Sequence, residues 1–240
     1  MAIIDKPSDY FETVLWSSVD TSIDTLDFQP DWVWIKSRTN ADTQVLFDSV
    51  RGAGERLSSS SDGAESTKTD ELTAFNSDGF TLGTGSNVNR ASHTNVAWNW
   101  KAGGSASSNS NGTITSSVSA NTDAGFSIGT YNGSGSDNTV GHGLGVAPDM
   151  IIVKCKSTAH DWVVYHSALG NAKILTLNAT TVAQSAGGWQ NTSPTSTVFS
   201  IDNAANSLNQ SGQSFVFYAM ASKKGYSKFG SYIANANVDG

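Results

Sequence analysis

Pro30-Asp31-Trp32-Val33-Trp34-Ile35-Lys36 and Pro148-Asp149-Met150-Ile151-Ile152-Val153-Lys154 are the two stretches whose reading decides the fold. Each opens on Pro-Asp, runs through nearly unbroken apolar residues and closes on lysine. A short continuous apolar run bounded by turn residues reads as a strand buried on both faces. The second stretch stands 118 positions after the first, and the same offset continues without a gap: Asp48-Ser49-Val50-Arg51-Gly52 falls on His166-Ser167-Ala168-Leu169-Gly170, and Leu57 on Leu175. Ala41/Ala159, Val45/Val163, Ser49/Ser167 and Gly52/Gly170 are identities within it. Farther on the offset drifts but the pattern holds, with Phe80-Thr81-Leu82 near Phe199-Ser200-Ile201 and Val96-Ala97-Trp98-Asn99-Trp100 near Val216-Phe217-Tyr218-Ala219-Met220. An ordered series of this kind reads as an internal duplication.

Outward from the two runs, each copy reads as strands. Gln44–Asp48 and Asp161–His166 follow their runs after a short polar turn, a hairpin arrangement. Asp78-Gly79 is a turn signal opening Phe80-Thr81-Leu82, and the closing strands are Asn95–Trp100 and Ser214–Met220. No convincing amphipathic helix intervenes. The expected fold is therefore all-β, two tandem β-sandwich domains of jelly-roll type. The Gly-, Ser- and Asn-rich stretch 103–119 reads as a linker, placing the first unit at residues 1–115 and the second at 116–240. Gly225-Tyr226-Ser227-Lys228-Phe229-Gly230-Ser231-Tyr232 resembles Gly125–Tyr131 and, more loosely, Phe11–Trp16. It is expected to be a strand that opens a third copy. Such a strand either closes its own unit or completes a neighbour by strand addition.

Composition limits what such a chain does. Of its 240 residues only 15% are charged, a mix in which Ser, Asn, Asp and Gly disfavour long helices, while seven tryptophans supply apolar area enough for a packed core. A formal charge of −7 with no basic cluster beyond Lys223-Lys224 argues against nucleic acid as the partner. No apolar run is long enough to span a bilayer, and Met1–Tyr10 lacks the apolar core of a secretory signal. One cysteine, Cys155, allows neither an internal disulfide nor a cysteine metal cage.

Catalytic chemistry finds little purchase. His93, His142, His160 and His166 fall in no metal-ligand spacing, and His166 with Asp161 reads better as a strand-end histidine beside a turn aspartate than as a catalytic pair. Asp48, Glu55, Asp62, Glu65, Asp70 and Glu71 are the carboxylates from which a glycosidase pair would have to come, yet the corresponding stretch of the second copy, 171–189, has no Asp or Glu. They read as a solvated acidic face. Gly141-His142-Gly143-Leu144-Gly145 lies between strands and opens no helix, so it is no phosphate cradle. No DxDxDG calcium loop occurs. No cofactor is expected and no metal ligands are assigned, with calcium held by loop Asp and Asn side chains and backbone carbonyls left open. Rings that stack on sugars are the remaining candidates, and Trp16, Trp100 and Trp189, none of which lies in the middle of a strongly apolar run, are the tryptophans best placed to be exposed; core packing is the favoured reading for each, and exposure the alternative.

Pro30–Lys36, Leu46–Gly52, Phe75–Gly83, Val96–Gly104, Thr139–Pro148 and Gly225–Tyr232 together resemble a repeat family common in virion proteins of marine bacteriophages and related metagenomic sequences. The resemblance covers nearly the whole chain and implies a concanavalin-like jelly roll. It also implies a virion location, in a tail, fibre or capsid-decoration component, with other virion proteins as partners. The expectation is a non-catalytic, surface-exposed structural protein that assembles as a homo-oligomer, a trimer among the forms considered, and contributes to host attachment. A carbohydrate-binding adhesin that grips a host surface glycan is the first alternative, and a glycan hydrolase or depolymerase the second.

Overall fold

A computed structural model describes residues 3–17, 22–185, 187–203, 205–233 and 235. The chain is all-β. The first half contributes β1 (Phe11–Ser17), β2 (Ser22–Ile23), β3 (Trp32–Ser37), β4 (Val45–Asp48), β5 (Glu55–Ser58), β6 (Ser66–Thr67), β7 (Leu72–Asn76), β8 (Gly79–Leu82) and β9 (Thr94–Trp100). The second contributes β10 (Ser107–Asn109), β11 (Ser116–Asn121), β12 (Phe126–Asn132), β13 (Asn138–Gly141), β14 (Met150–Cys155), β15 (Val163–His166), β16 (Leu175–Thr176), β17 (Val198–Ile201) and β18 (Ser214–Met220). A four-residue helix, α1 (Asn206–Asn209), precedes the last strand.

Two large antiparallel sheets dominate, β1-β9-β3-β4-β5-β6 and β10-β11-β12-β18-β14-β15-β16, with small sheets β2-β8-β7 and β13-β17. From β1 to β5 the first follows the same order as the second from β12 to β16. Pairing registers correspond as well: Trp32 faces Asp48 where Met150 faces His166, and Leu46 faces Leu57 where Val164 faces Leu175. The paired Pro-Asp motifs have a local cause. Asp31 accepts bonds from Ser49 Oγ at 2.7 Å and Ala102 N–H at 2.7 Å; Asp149 accepts from Ser167 Oγ at 3.1 Å and Ser222 N–H at 2.8 Å. Each aspartate thus ties the start of one strand to the turn beyond the next and to the exit of the closing strand.

Strand alternation sorts the side chains into three cores. Val33, Ile35, Val45, Phe47 and Ala97 point toward the β2-β8-β7 sheet and pack with Ile23, Leu72, Phe80 and Leu82. In the second half, Ile151, Val153, Phe215 and Phe217 pack with Val140, Phe199 and Ile201 of the β13-β17 sheet. The opposite faces of the two large sheets meet each other: Trp32 and Leu46 from the first, Phe126, Ile128, Ile152, Val164, Val216 and Tyr218 from the second. This third core is why the deciding runs are apolar at every position. The units are not beads on a linker but lie back to back.

Two boundaries differ from the expectation. Ser107–Asn109, in the presumed linker, forms the edge of the second large sheet, and Ile114 bridges Val140, so the hand-over between sheets falls between Trp100 and Ser107 and not near residue 115. Nor does the segment from Gly225 to Tyr232 form the expected strand. Lys223 and Ser227 bridge across a turn that Gly225 makes at φ +84°, and no strand follows through Ile233. Its closest counterpart in sequence, β12, is already flanked by β11 and β18, so the second sheet has no vacancy beside it. Residues 234 and 236–240 lie outside the described residues.

Candidate functional site at the seam between the units

The three tryptophans picked from sequence do not form a surface. Trp16 is 6% exposed and turns into the first core against Phe80, while its neighbour Leu15 points outward at 59%. Trp189 is 1% exposed, edge-on to Tyr165 and Phe199 in the second core. Trp100 is half-buried in the seam, with ring centroids 4.4 Å from Trp32 and 4.9 Å from Phe11. Lying outside an apolar run did not expose these rings, because the cores draw on loops and strand ends as well as strand centres.

The histidines and four of the six candidate acids are occupied structurally. His142 is buried; its Nδ1 accepts from Leu144 N–H, so Nε2 carries the proton and donates to Thr195 O, and burial holds its pKa below the ordinary value. The glycines around it therefore serve a closed turn. His166 Nδ1 accepts from Ala168 N–H and Asp161 accepts from Asn178 Nδ2, so the two do not pair. Of the candidate carboxylates, Asp48 and Glu65 bind Arg51, Glu71 binds Arg56 and Glu55 takes the Thr67 hydroxyl. Among the described residues no three His, Cys, Asp or Glu side chains come together as metal ligands. A hollow of about 430 Å³ in the second unit brings Asp161 and Asp202 to one lining, with Val163, Ile174 and Leu208.

Polar chemistry concentrates where the large sheets meet. The Arg51 side chain is fully buried on β4's turn, its Nε donating to Asp48 Oδ2 at 2.6 Å and its Nη1 to Glu65 Oε2 at 2.8 Å and Glu55 O at 2.7 Å. Burial is the largest single influence and opposes its charge, but Asp48, Tyr218 and Glu65 together outweigh it and the pKa is raised. Tyr218, from β18 of the other sheet, donates its hydroxyl to the same Asp48 Oδ2 at 2.7 Å and stacks its ring on Trp32 at 4.3 Å. Burial raises the Tyr218 pKa well above the ordinary phenol value and keeps it a donor. Lys154 is also completely buried, donating to Asp62 O at 3.0 Å and Cys155 O at 2.7 Å; burial pushes its pKa down to about 8.

Where each unit's loop crosses the seam, the halves behave differently. Gln44 just before β4 and Trp162 just before β15 correspond at the 118 offset, and each offers its carbonyl to the segment after the next strand: Ser59 N–H to Gln44 O at 3.3 Å, Leu177 N–H to Trp162 O at 3.1 Å. On the Trp162 side the seam is shut. Its indole is buried under the first unit's loop, Nε1 donating to Ser58 O at 2.8 Å and Ser61 O at 3.1 Å. At the Gln44 side a cleft of about 380 Å³ stays open, lined by Trp34, Gln44, Ser59 and Ser60 of the first unit and Leu177–Thr180 of the second. Trp34 is half-buried there, braced by Trp32 at 5.6 Å and edge-on by Trp98 at 6.4 Å. By its sequence Trp34 belongs to a strand expected to be buried on both faces, and Gln44 to the strand that follows it. The signals that mark them are the i, i+2 spacing of Trp32/Trp34 and Trp98/Trp100 on neighbouring strands, and glutamine standing 118 positions before a tryptophan.

No curated protein and no solved structure matches the chain. A family model does, over residues 6–240, which takes in both large sheets, the seam and the cleft; the chain belongs to the family described as Domain of unknown function (DUF7483).

Proposed function

We propose that the chain is a non-catalytic structural protein exposed on the surface of a bacteriophage particle, a tail, fibre or capsid-decoration component that contributes to host attachment. On this reading two β-sandwich units, descended from one by duplication, act as a single rigid block. The observation that supports it is how the polar side chains are used. Asp48, Arg51, Glu65, Lys154, Trp162 and Tyr218 are committed to joining the chain's own halves instead of converging on an accessible groove. A buried network with its partners in place favours one well-defined arrangement, which suits a part whose task is shape. Its acidity and polar loops suit a solvent-facing particle surface.

Two measurements test this. Antibody raised against the purified chain is expected to label intact particles from a lysate of its host in immunogold microscopy; bare particles would overturn the assignment. Light scattering on the purified chain is expected to give a homo-oligomer, a trimer or larger, and a monodisperse monomer would remove the multimeric part. The adhesin reading is favoured by one observation, the open cleft at Trp34.

A further inference from the structure

We infer that the seam cleft between Trp34 and the Leu177–Thr180 segment is a binding site for a pyranose ring of a neutral glycan. This rests on the attachment role proposed above and gives it a ligand class and residues.

The shape argument comes from the two sides of the seam. Trp162 fills its side with an indole whose N–H reaches two backbone carbonyls of the facing loop. Gln44 holds the corresponding place on the other side and leaves the space unfilled. What remains is a cleft of about 380 Å³, within the range of small-ligand sites. It is sized for a ring and walled by both units, so it exists only because the units are locked together. Relative to the filled side, it lacks a flat group with hydrogen-bond donors at its edge.

The chemistry argument comes from the lining. No lining residue is charged, which favours a neutral ligand over a phosphate, sulfate or uronate. Trp34 supplies an apolar surface whose position is fixed by Trp32 and Trp98, so little ordering is needed on binding. Among the described residues the Gln44 side-chain amide has no hydrogen-bond partner, although Gln44 is partly buried, and so has donors and an acceptor to give. Ser59, Ser60 and Thr180 add hydroxyls, while Asn178 is clamped between Trp162 N–H and Asp161 and sets the far wall. A pyranose presents both an apolar C–H face and ring-edge hydroxyls, and so matches a lining that is part indole and part amide and hydroxyl.

The test is titration of the full chain with cellohexaose, maltohexaose and chitohexaose and screening on a neutral-glycan array, read by tryptophan fluorescence and by chemical-shift changes at residues 34, 44 and 177–180. At least one neutral glycan is expected to bind there. Trp34→Ala is expected to weaken it at least tenfold, about 1.4 kcal/mol. Should that variant fold poorly, Gln44→Trp carries the test: it fills the cleft as Trp162 fills its own side, and is expected to abolish binding while leaving the melting temperature unchanged or higher. Unaltered affinity in a folded Gln44→Trp protein overturns the site, as does binding of a tryptophan-bearing peptide with no response to any glycan. Labelled particles with no glycan binding sink the cleft and spare the virion role; glycan binding with unlabelled particles does the reverse.

Discussion

Replacing Tyr218 by phenylalanine removes one oxygen and one hydrogen bond from the centre of the molecule. The hydroxyl donates at 2.7 Å to Asp48 Oδ2, and both side chains are fully buried. A hydrogen bond to a charged group is worth about 1.5–3 kcal/mol. Two features hold the loss near the lower half of that range. Asp48 keeps Arg51 Nε on Oδ2 and Arg51 N–H on Oδ1, so its charge stays paired, and the phenylalanine ring can keep the Trp32 stack. The expected cost is about 2 kcal/mol, or about 4–8 °C in melting temperature for a chain of this size. Asp48→Ala is expected to cost more, about 3–5 kcal/mol, because it strips a buried guanidinium of its closest partner. The bond joins β4 of one large sheet to β18 of the other. Calorimetry should therefore find a single transition that moves as a whole, and adding Tyr218→Phe to Asp48→Asn should cost less than Tyr218→Phe alone. Two separate transitions of which only one shifts would refute the account of the seam as the element that makes the halves cooperative; so would a melting temperature that does not change.

Lys154 and the turn glycines give two more tests. The Lys154 pKa is lowered to about 8 by burial, against 10.5 ordinarily, so the unfolded chain holds the additional proton between those values and this group's contribution to stability rises with pH across that window, by up to about 1.4 kcal/mol per unit. Urea unfolding at pH 7.5 to 10.5 is expected to show wild type gaining on Lys154→Met; parallel profiles would mean the ammonium carries no burial penalty. Gly79 sits at φ +155° with no room for a Cβ against the Ile23 carbonyl, whereas Gly52 at φ +107° has open space. Gly79→Ala should cost about 2–5 kcal/mol from strain plus overpacking and Gly52→Ala about 1–2 kcal/mol from strain alone, and equal losses in thermal melts would contradict the close approach of β2 to β8.

The fold class was legible because strand signals are local. Pro-Asp openings, apolar runs and the Asp78-Gly79 turn each act within a few residues, and the 118 offset pointed to pairing registers that do correspond. What sequence did not carry is what covers each face. Trp32-Val33-Trp34-Ile35 reads as buried on both sides, and all but Trp34 are, but the run cannot say that the second cover is the other half's sheet. The resulting picture of separate units on a linker failed for that reason, and in place of the expected terminal strand the chain makes a turn at Gly225 that brings Lys223 against Ser227. Site residues were less legible still. Exposure of a tryptophan depends on three-dimensional cover, so Trp16 and Trp189 vanished into cores while Trp34, inside the most apolar run of the chain, reached the surface.

The two halves contribute unequally to the seam. Interactions across it are directional: Tyr218 reaches Asp48, whereas the residue corresponding to Asp48 is His166, which caps its own turn through Ala168 N–H. Lys154 crosses to Asp62, while its counterpart Lys36 stays within its own unit on Asn40 O and Asp42 O. Trp162 closes one side of the seam and Gln44 leaves the other open. One side of the seam thus holds most of the fastening. Trp34 still packs on the shared core through Trp32 and Trp98, but part of its ring stands at the cleft. Asymmetry of this kind is what a pair of corresponding units needs before one of their shared edges can hold a ligand instead of the fold.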